Sequence, residues 1–155
     1  MSEMNTFFHT TAQAVQEEDM TVSGCAAKRW TCPQLEEEYY SIEHTSGLRI
    51  LVIPKQRSVS YAMLTVRFGA QDVCFREEDA ASSKWQQLPD GIAHFMEHQM
   101  FTLADGRDVS ELFSAIGADV NAWTSCDKTS YLFQTTEHER EALEILLRFV
   151  LSATF

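Results

Sequence analysis

Near the middle of the chain stands Gly91-Ile92-Ala93-His94-Phe95-Met96-Glu97-His98, a stretch that contains the pattern His-x-x-Glu-His. Residues 91 to about 101 are expected to form a helix, with Asp90 as its N-terminal cap. At 100° per residue, His98 lies about 40° around this helix from His94, and Glu97 lies about 60° to the other side. The three side chains are therefore predicted to project from one face of the helix.

This spacing predicts a zinc site. One helical turn places the imidazoles of His94 and His98 where both can bind one Zn²⁺ at roughly 2.0–2.1 Å. Glu97 lies beside them but offset, so it is placed to take a proton from zinc-activated water rather than to bind the ion. The residue order is the inverse of the His-Glu-x-x-His pattern of other zinc peptidases, with the same components.

Two imidazoles do not complete a catalytic zinc site, because such a site keeps three protein ligands and leaves the fourth position to water. The spacing selects no third ligand. The candidates by composition are His9, His44, His138 and Glu144. Each of these histidines is more typical of a surface position than of a metal site.

The pattern also has an interpretation without function, in which two partly buried histidines form hydrogen bonds and Glu97 is a surface charge. The apolar residues of the stretch argue against it. Those predicted to lie on the opposite face of the helix are Ile92, Phe95, Met96 and Met100. A helix that is apolar behind its histidines is expected to be buried on that side.

The flanking sequence predicts four strands. Apolar runs indicate a buried strand over residues 48–53, stopped by Pro54, and a second over residues 61–68, joined to the first by a short turn. Residues 71–90 carry charged and turn-forming residues and are expected to be a loop. Residues 118–124 and 129–135 have the composition of two further strands.

Two more helices are predicted from capping patterns. Asp108 with Glu111 has the spacing of a capping box, and Gly117 supplies a C-terminal stop. The apolar stripe of this helix is Val109, Leu112, Phe113 and Ile116. Thr136 and Glu139 repeat the capping pattern, followed by a second stripe of Leu143, Leu146, Leu147 and Val150. The order of elements predicts an α+β fold in which an antiparallel-rich sheet packs against helices.

Length and composition limit the class of protein. The chain has 155 residues, of which 45% are hydrophobic, which is enough for one domain with a buried core. The formal net charge of −11 opposes the phosphates of a nucleic acid, so no nucleic-acid partner is expected. No apolar run approaches the about 18 residues of a membrane helix, and the N-terminus has no secretory pattern. We therefore expect no membrane partner and a cytoplasmic location.

The two ends of the chain carry weaker information. Residues 1–40 are expected to be a polar, disordered lead-in, because they show neither a strand nor a helix period. Residues 41–155 are assigned to the folded domain. The four cysteines are scattered along the chain and are expected to be free thiols. A predicted helix that ends within a few residues of Phe155 suggests a chain that has been cut short.

Two segments resemble the pitrilysin/insulinase family of zinc metallopeptidases. They are residues 89–101, which include the His-x-x-Glu-His pattern, and Gly117-Ala118-Asp119-Val120-Asn121-Ala122-Trp123-Thr124. The strands at 48–53 and 61–68 fit the same scheme, so the resemblance covers about residues 45–155. The phrases Val66-Arg67-Phe68-Gly69-Ala70 and Pro89-Asp90-Gly91 are most similar to bacterial insulinase-like proteins.

The resemblance implies a zinc-dependent endopeptidase. His94 and His98 would be the zinc ligands, and Glu97 would be the general base. It also implies that the strand with Asn121, Ala122 and Thr124 borders the cleft and pairs with the backbone of a peptide or protein substrate. An exposed strand edge suits this role, since main-chain hydrogen bonds hold many different sequences.

The family's third zinc ligand is a Glu on a later helix, and its members carry further domains of the same fold. We therefore expect residues 41–155 to be a truncated N-terminal part of such a domain, with little activity alone. A partner subunit is a possible source of the missing domain. An intact Glu97 fits an enzyme better than a binding module, which needs no base between two histidines.

Two other functions stay open at this point. One is a non-catalytic insulinase-like module that binds peptides or a partner subunit through the same strand edge. The other is a small structural zinc domain, which is disfavoured because such sites are closed by four Cys or His ligands and no cysteine has a useful spacing to His94 and His98.

Overall fold

The computed structural model describes residues 15–76, 84–103 and 105–152, and it divides the chain into two units, Met1–Gln56 and Arg57–Phe155. We treat each unit by itself. In the part of the chain described, no helix has the length and apolar character needed to cross a membrane.

The first unit is a four-stranded antiparallel sheet in which each strand pairs with the next along the chain. Its strands are β1 (Gln16–Val22), β2 (Cys25–Cys32), β3 (Glu37–Glu43) and β4 (Arg49–Val52). Ser23 and Gly24, at the turn between β1 and β2, have φ values of 50° and 81°. Positive φ at both turn residues is the conformation that a tight two-residue hairpin requires.

This sheet corrects the expectation of a disordered lead-in over residues 1–40 for its part from residue 16 on, which forms strands. Residues 1–14 lie outside the described residues. Its residues show little hydrophobic alternation because most are exposed or half-buried, with Cys25 and Ala27 as the buried apolar residues of the described part. Contacts between neighbouring strands stabilise it instead. Trp30 stacks on Tyr39 with ring centroids 5.8 Å apart, and such cross-strand pairs leave no periodic pattern in either strand.

The prediction of a buried strand over residues 48–53 is wrong in its burial. Strand β4 pairs with β3, and its Leu51 is 59% exposed. The next strand, β5 (Ser60–Val66), lies in the second unit and pairs with β9 (Thr129–Thr135), a strand late in the chain. Apolar residues alone do not distinguish a buried strand from an edge strand, which explains the difference.

In its described residues, the second unit combines an antiparallel sheet, in the order β5-β9-β8, with three helices. The remaining strand of this sheet is β8 (Asp119–Thr124), and the helices are α1 (Ile92–Met100), α2 (Val109–Ala115) and α3 (Glu139–Leu151). The predicted α+β fold is confirmed, and the predicted strands at 118–124 and 129–135 match β8 and β9. Residues 71–90, expected as a loop, also contain two paired two-residue strands, β6 (Cys74–Phe75) and β7 (Gln86–Gln87).

The core of the second unit lies between one face of the sheet and the helices. Its buried members are Val109, Phe113, Ala118, Tyr131, Phe133, Ala142, Leu146 and Phe149. Phe113 and Phe133 have ring centroids 6.0 Å apart, and the ring of Phe149 meets that of Tyr131 edge-on at 5.6 Å. These aromatic contacts join α2 and α3 to the central strand β9.

The helix ends agree with the sequence prediction at α2 and differ at the other two helices. Asp108 Oδ1 accepts a hydrogen bond from Ser110 N at 2.8 Å, so this predicted cap is confirmed. The N-cap positions of α1 and α3 are instead Gly91 and His138, with φ of 81° and 61° and no side-chain cap bond. The predictions of Asp90 and Thr136 as caps are therefore wrong.

The predicted stripe of α3 is partly wrong as well. The buried residues of this helix are Ala142, Leu146 and Phe149, whereas Leu143 is 42% exposed. The fully buried residues of the helix therefore include a small residue and an aromatic one, and of the predicted stripe Leu146 is buried and Val150 is partly buried against the core. Since leucine is common on both faces of this helix, counting leucines did not locate its core face.

Candidate metal centre

Helix α1 carries the His-x-x-Glu-His residues and packs one face onto the second unit. Ala93 and Glu97 are its buried residues, and Met100 packs against the core of that unit. Phe95 is 61% exposed, so the prediction that the face behind the histidines is buried is wrong at this residue. His94 and His98 are exposed. The helix thus buries its acid and presents its two histidines to the surface.

The two histidines converge. Their Nε2 atoms lie 3.0 Å apart, and their ring centroids are 4.8 Å apart with an interplanar angle of 39°. The ligand atoms of His94, Glu97 and His98 all lie within 4.8 Å of one another. The shared face predicted from helical spacing is therefore present.

This donor set fits a zinc ion. Two nitrogens bound to one tetrahedral Zn²⁺ at 2.0–2.1 Å stand roughly 3.3 Å apart, close to the 3.0 Å between the two Nε2 atoms. Across residues 15–76, 84–103 and 105–152, this is the one group of three His, Cys, Asp or Glu side chains with such proximity. Imidazole nitrogen and carboxylate oxygen are both common zinc ligands.

The other predicted ligand candidates do not join the group. His44 Nδ1 lies 2.8 Å from Ser46 Oγ, His138 Nδ1 lies 3.5 Å from Glu141 Oε2, and Glu144 Oε1 lies 3.3 Å from Arg140 Nε. His9 lies outside the described residues. Among the residues that the structure describes, no third protein ligand beyond His94, His98 and the nearby Glu97 is therefore identified.

Glu97 is buried, with 8% of its surface exposed, which contradicts its interpretation as a surface charge. A buried carboxylate needs hydrogen-bond donors or a cation to compensate for lost hydration. Thr124 Oγ1 donates a hydrogen bond to Glu97 Oε2. The contact joins helix α1 to the end of strand β8, 27 residues further along the chain.

Tyr131 is a second neighbour of the buried acid. Burial, together with the negative charge of Glu97, raises the pKa of Tyr131 to about 12. Its phenol therefore stays protonated at neutral pH. Neither Thr124 as a donor to Glu97 nor Tyr131 as its neighbour was found from the sequence. The alternation of β8 and β9 could have indicated both, since it places Ala122, Thr124 and Tyr131 on the inner face of the sheet.

The residues predicted to bind substrate lie on β8, which is an edge strand. Asn121 is exposed, whereas Ala122 and Thr124 are half-buried. Ala122 N donates a hydrogen bond to Asn121 Oδ1 at 2.8 Å. The Asn121 side chain thus accepts a hydrogen bond from the main-chain N–H of Ala122, whereas the Thr124 side chain contacts Glu97. The structure brings Thr124 to the histidine group, and the substrate-binding role of the three residues stays a prediction.

Comparison with known proteins gives consistent results. Residues 82–155 match the sequence profile of the family described as Insulinase (Peptidase family M16). The chain is 41% identical over 118 residues to the uncharacterized zinc protease YmfH of Bacillus subtilis, an alignment of 76% of this chain and 27% of that protein. A crystal structure of an M16-like peptidase from Alicyclobacillus acidocaldarius superposes with a TM-score of 0.68 and 34% identity, covering 77% of this chain and 27% of that one. The chain spans about a quarter of the length of the curated relatives it matches.

Proposed function

Because the chain belongs to the insulinase family, peptidase family M16, we propose that it acts in the hydrolysis of peptide bonds by a zinc-dependent endopeptidase. His94 and His98 are the proposed zinc ligands, and Glu97 is the proposed general base. The observation that carries the proposal is the convergence of the three groups, with their ligand atoms within 4.8 Å of one another and only the acid buried.

Each residue has a task that its position supports. His94 and His98 offer their Nε2 atoms to one ion from consecutive turns of one helix, so the helix itself fixes their separation. Zinc, when bound, supplies a Lewis acid that lowers the pKa of water and polarises the carbonyl of a peptide bond. Glu97 receives the proton released by water during attack and can pass it to the departing amine. Because the Glu97 carboxylate is buried, bulk water has little access to the proton that it carries.

The proposed substrate is a peptide or protein in extended conformation. Strand β8 is the outer strand of its sheet, and an extended chain can extend that sheet through main-chain hydrogen bonds. Binding through the backbone places few demands on sequence, as a peptidase of broad specificity requires. The third zinc ligand and the closure of the site are proposed to come from further protein segments or from a partner subunit.

The zinc step is tested by metal content and affinity. Once the segments or the subunit that supply the third ligand are present, we expect the protein to bind close to one zinc ion per chain. His98→Ala should weaken zinc binding by more than the roughly 10- to 100-fold that an outer partner of a metal ligand contributes. His44→Ala is the matched control, because this exposed histidine belongs to the first unit and bonds to Ser46, and it should leave zinc affinity unchanged.

The catalytic step is tested by Glu97→Gln, which keeps the size of the side chain but removes its basicity. In the protein completed by those segments or that subunit, this variant should retain zinc and lose peptidase activity by about 10²–10⁴-fold, the usual contribution of a general base. Peptide binding without zinc binding would instead support the non-catalytic module. Activity that is unchanged in Glu97→Gln would remove Glu97 from the mechanism.

A further inference from the structure

Resting on the proposed function, we propose that Thr124 is a positioning residue that links the substrate strand to the base. Its side chain fixes Glu97, and its main chain lies at the edge of β8 where the peptide is expected to pair. The resemblance to the family had implied a substrate-binding residue at this position. The contacts of Thr124 assign a different task to its hydroxyl group.

The hydroxyl of Thr124 is committed to Glu97. Its single hydrogen is donated to Glu97 Oε2. The neighbouring Thr129 Oγ1 lies 3.4 Å from Thr124 Oγ1, but Thr129 donates its own hydrogen to Phe68 O at 2.8 Å. Both hydroxyl hydrogens therefore have fixed acceptors. One oxygen of the carboxylate is held by this bond, which leaves the other for proton transfer.

The main chain of Thr124 faces the free edge of the sheet. In the hairpin that joins β8 and β9, Ser125 N donates to Lys128 O at 2.8 Å, so residue 125 points its main chain toward the partner strand. Main-chain groups alternate in direction along an antiparallel strand. Val120, Ala122 and Thr124 consequently point theirs outward, which agrees with Ala122 N bonding to Asn121 Oδ1 rather than to β9.

The hairpin next to Thr124 is held in place by a second segment. Ala70 N donates to Ser125 O at 2.8 Å, and Gln71 N donates to Cys126 O at 2.9 Å. Gly69 allows this approach, since a Cβ at its position would lie 2.6 Å from the Cys126 carbonyl carbon. Residues 69–71 thus hold the end of β8 in place. They thereby help to fix the distance between the peptide-binding edge of β8 and Glu97.

One residue therefore contributes to two requirements of hydrolysis. A peptide that pairs with β8 takes its register from the outward main-chain groups, while Glu97 takes its orientation from the same residue's side chain. The reacting bond and the base are then positioned by one rigid element. Misplacement of a reacting group by about 1 Å can cost on the order of 100-fold in rate, so such a link is expected to affect turnover strongly.

Thr124→Val tests the inference, because valine keeps the shape and removes the hydroxyl. We expect kcat to fall about 10- to 100-fold, while KM, zinc affinity and the affinity of the zinc-free protein for an extended peptide stay within about twofold. Thr124→Ser restores the hydroxyl and should recover most of kcat. Ala122→Pro is the matched edge variant: it removes the outward N–H that Asn121 Oδ1 accepts from in the free protein and that a pairing peptide would take over, so peptide affinity should weaken without a change in zinc affinity.

A double-mutant cycle gives a readout that needs neither zinc nor activity. In zinc-free protein, Thr124→Val should raise the unfolding equilibrium constant about tenfold more with Glu97 present than in the Glu97→Ala background. A cycle without coupling would overturn the inference. So would a Thr124→Val variant with a raised KM and weaker peptide binding, or a Thr124→Ser variant as impaired as valine.

These outcomes are distinct from a failure of the proposed function. That failure would appear in the unmodified protein, as an absence of zinc binding, or in Glu97→Gln, as unchanged peptidase activity. The stability coupling between Thr124 and Glu97 does not depend on either result.

Discussion

The two units of the chain are stabilised by different means. The second unit buries a group of aromatic and aliphatic side chains between a sheet and helices, and Val109 and Phe113 have no exposed surface there. The first unit is a single sheet whose side chains are mostly exposed or half-buried. Its described contacts are largely pairs between neighbouring strands, such as the stack of Trp30 on Tyr39 and the ion pair of Arg29 with Glu38.

This difference explains where the candidate site lies. A metal centre and a base require atoms held within fractions of an ångström, and a close-packed core restricts motion far more than exposed cross-strand pairs do. Helix α1 and strand β8 both pack on the second unit's core through Met100 and Ala122. The residues that need accurate placement therefore belong to the unit that has the larger core.

The largest expected effect tests the core directly. Phe113→Ala removes a ring that has no exposed surface and contacts both Phe133 and Phe149. It should lower the free energy of unfolding of the second unit by about 3–5 kcal/mol. Tyr39→Ala in the first unit removes a half-buried ring and should cost about 1–2 kcal/mol, mostly from the lost stacking on Trp30.

Amide hydrogen exchange read by mass spectrometry can measure both values, because it reports opening free energies separately for peptides from each unit. The effect of Phe113→Ala should be confined to peptides from residues 57–155. If Tyr39→Ala were as costly as Phe113→Ala, the first unit would depend on a core as much as the second, and the contrast between them would fail.

The same contrast decides how much of the structure could be predicted from sequence. Helix α2 was located by its Asp108 cap, its apolar stripe and the Gly117 stop, because each of these acts over a few neighbouring residues. The face shared by His94, Glu97 and His98 followed from helical geometry alone. Local rules therefore located α2 and the cluster of His94, Glu97 and His98.

Features that depend on distant residues were missed. The pairing of β5 with β9 and the hydrogen bond from Thr124 to Glu97 join segments far apart in sequence, and no local pattern records such contacts. The strands of the first unit were missed because cross-strand contacts stabilise them without a buried face. The N-cap positions of α1 and α3 are occupied by Gly91 and His138, both with positive φ. The capping preference of the nearby Asp90 and Thr136 gave no indication of this backbone conformation.

A smaller effect is expected at the cap of α2, which tests whether local interactions add to the core of the second unit. Asp108→Ala removes the acceptor of the bond from Ser110 N and should cost about 1 kcal/mol in unfolding free energy at pH 7. Asp90→Ala is the matched control near α1, where no side-chain cap bond exists, and it should have no measurable effect. Urea unfolding of the three proteins measures the comparison.

The Asp108 effect should also depend on pH. Hydrogen bonds from Ser110 hold the pKa of Asp108 below its usual value, so the folded state binds this proton less readily than the unfolded state does. The carboxylate therefore contributes its full stabilisation above the unfolded pKa of about 3.9 and loses it as the pH falls through the lowered folded value. The difference between wild type and Asp108→Ala should shrink toward pH 2, and Asp108→Asn should show a weaker pH dependence.

The smallest effect is expected in the first unit, at the pair of Arg29 and Glu38. Arg29 donates from Nε at 2.9 Å and from Nη2 at 2.6 Å to Glu38 Oε2, and Tyr40 Oη donates to Oε1 at 3.2 Å. Because both charged side chains are partly exposed, solvent and salt screen their attraction. Arg29→Ala should therefore destabilise the protein less than Asp108→Ala does.

Ionic strength separates this pair from the contacts of the core. Raising the salt from 0.01 M to 1 M shortens the Debye length from about 30 Å to about 3 Å, so the effect of Arg29→Ala should diminish while that of Phe113→Ala persists. A cycle of Arg29→Ala with Glu38→Gln, measured by urea unfolding at both salt concentrations, isolates the coupling. Coupling that survived 1 M salt would mean that hydrogen-bond geometry rather than charge holds β2 to β3, and the first unit would then be more rigid than its exposure suggests.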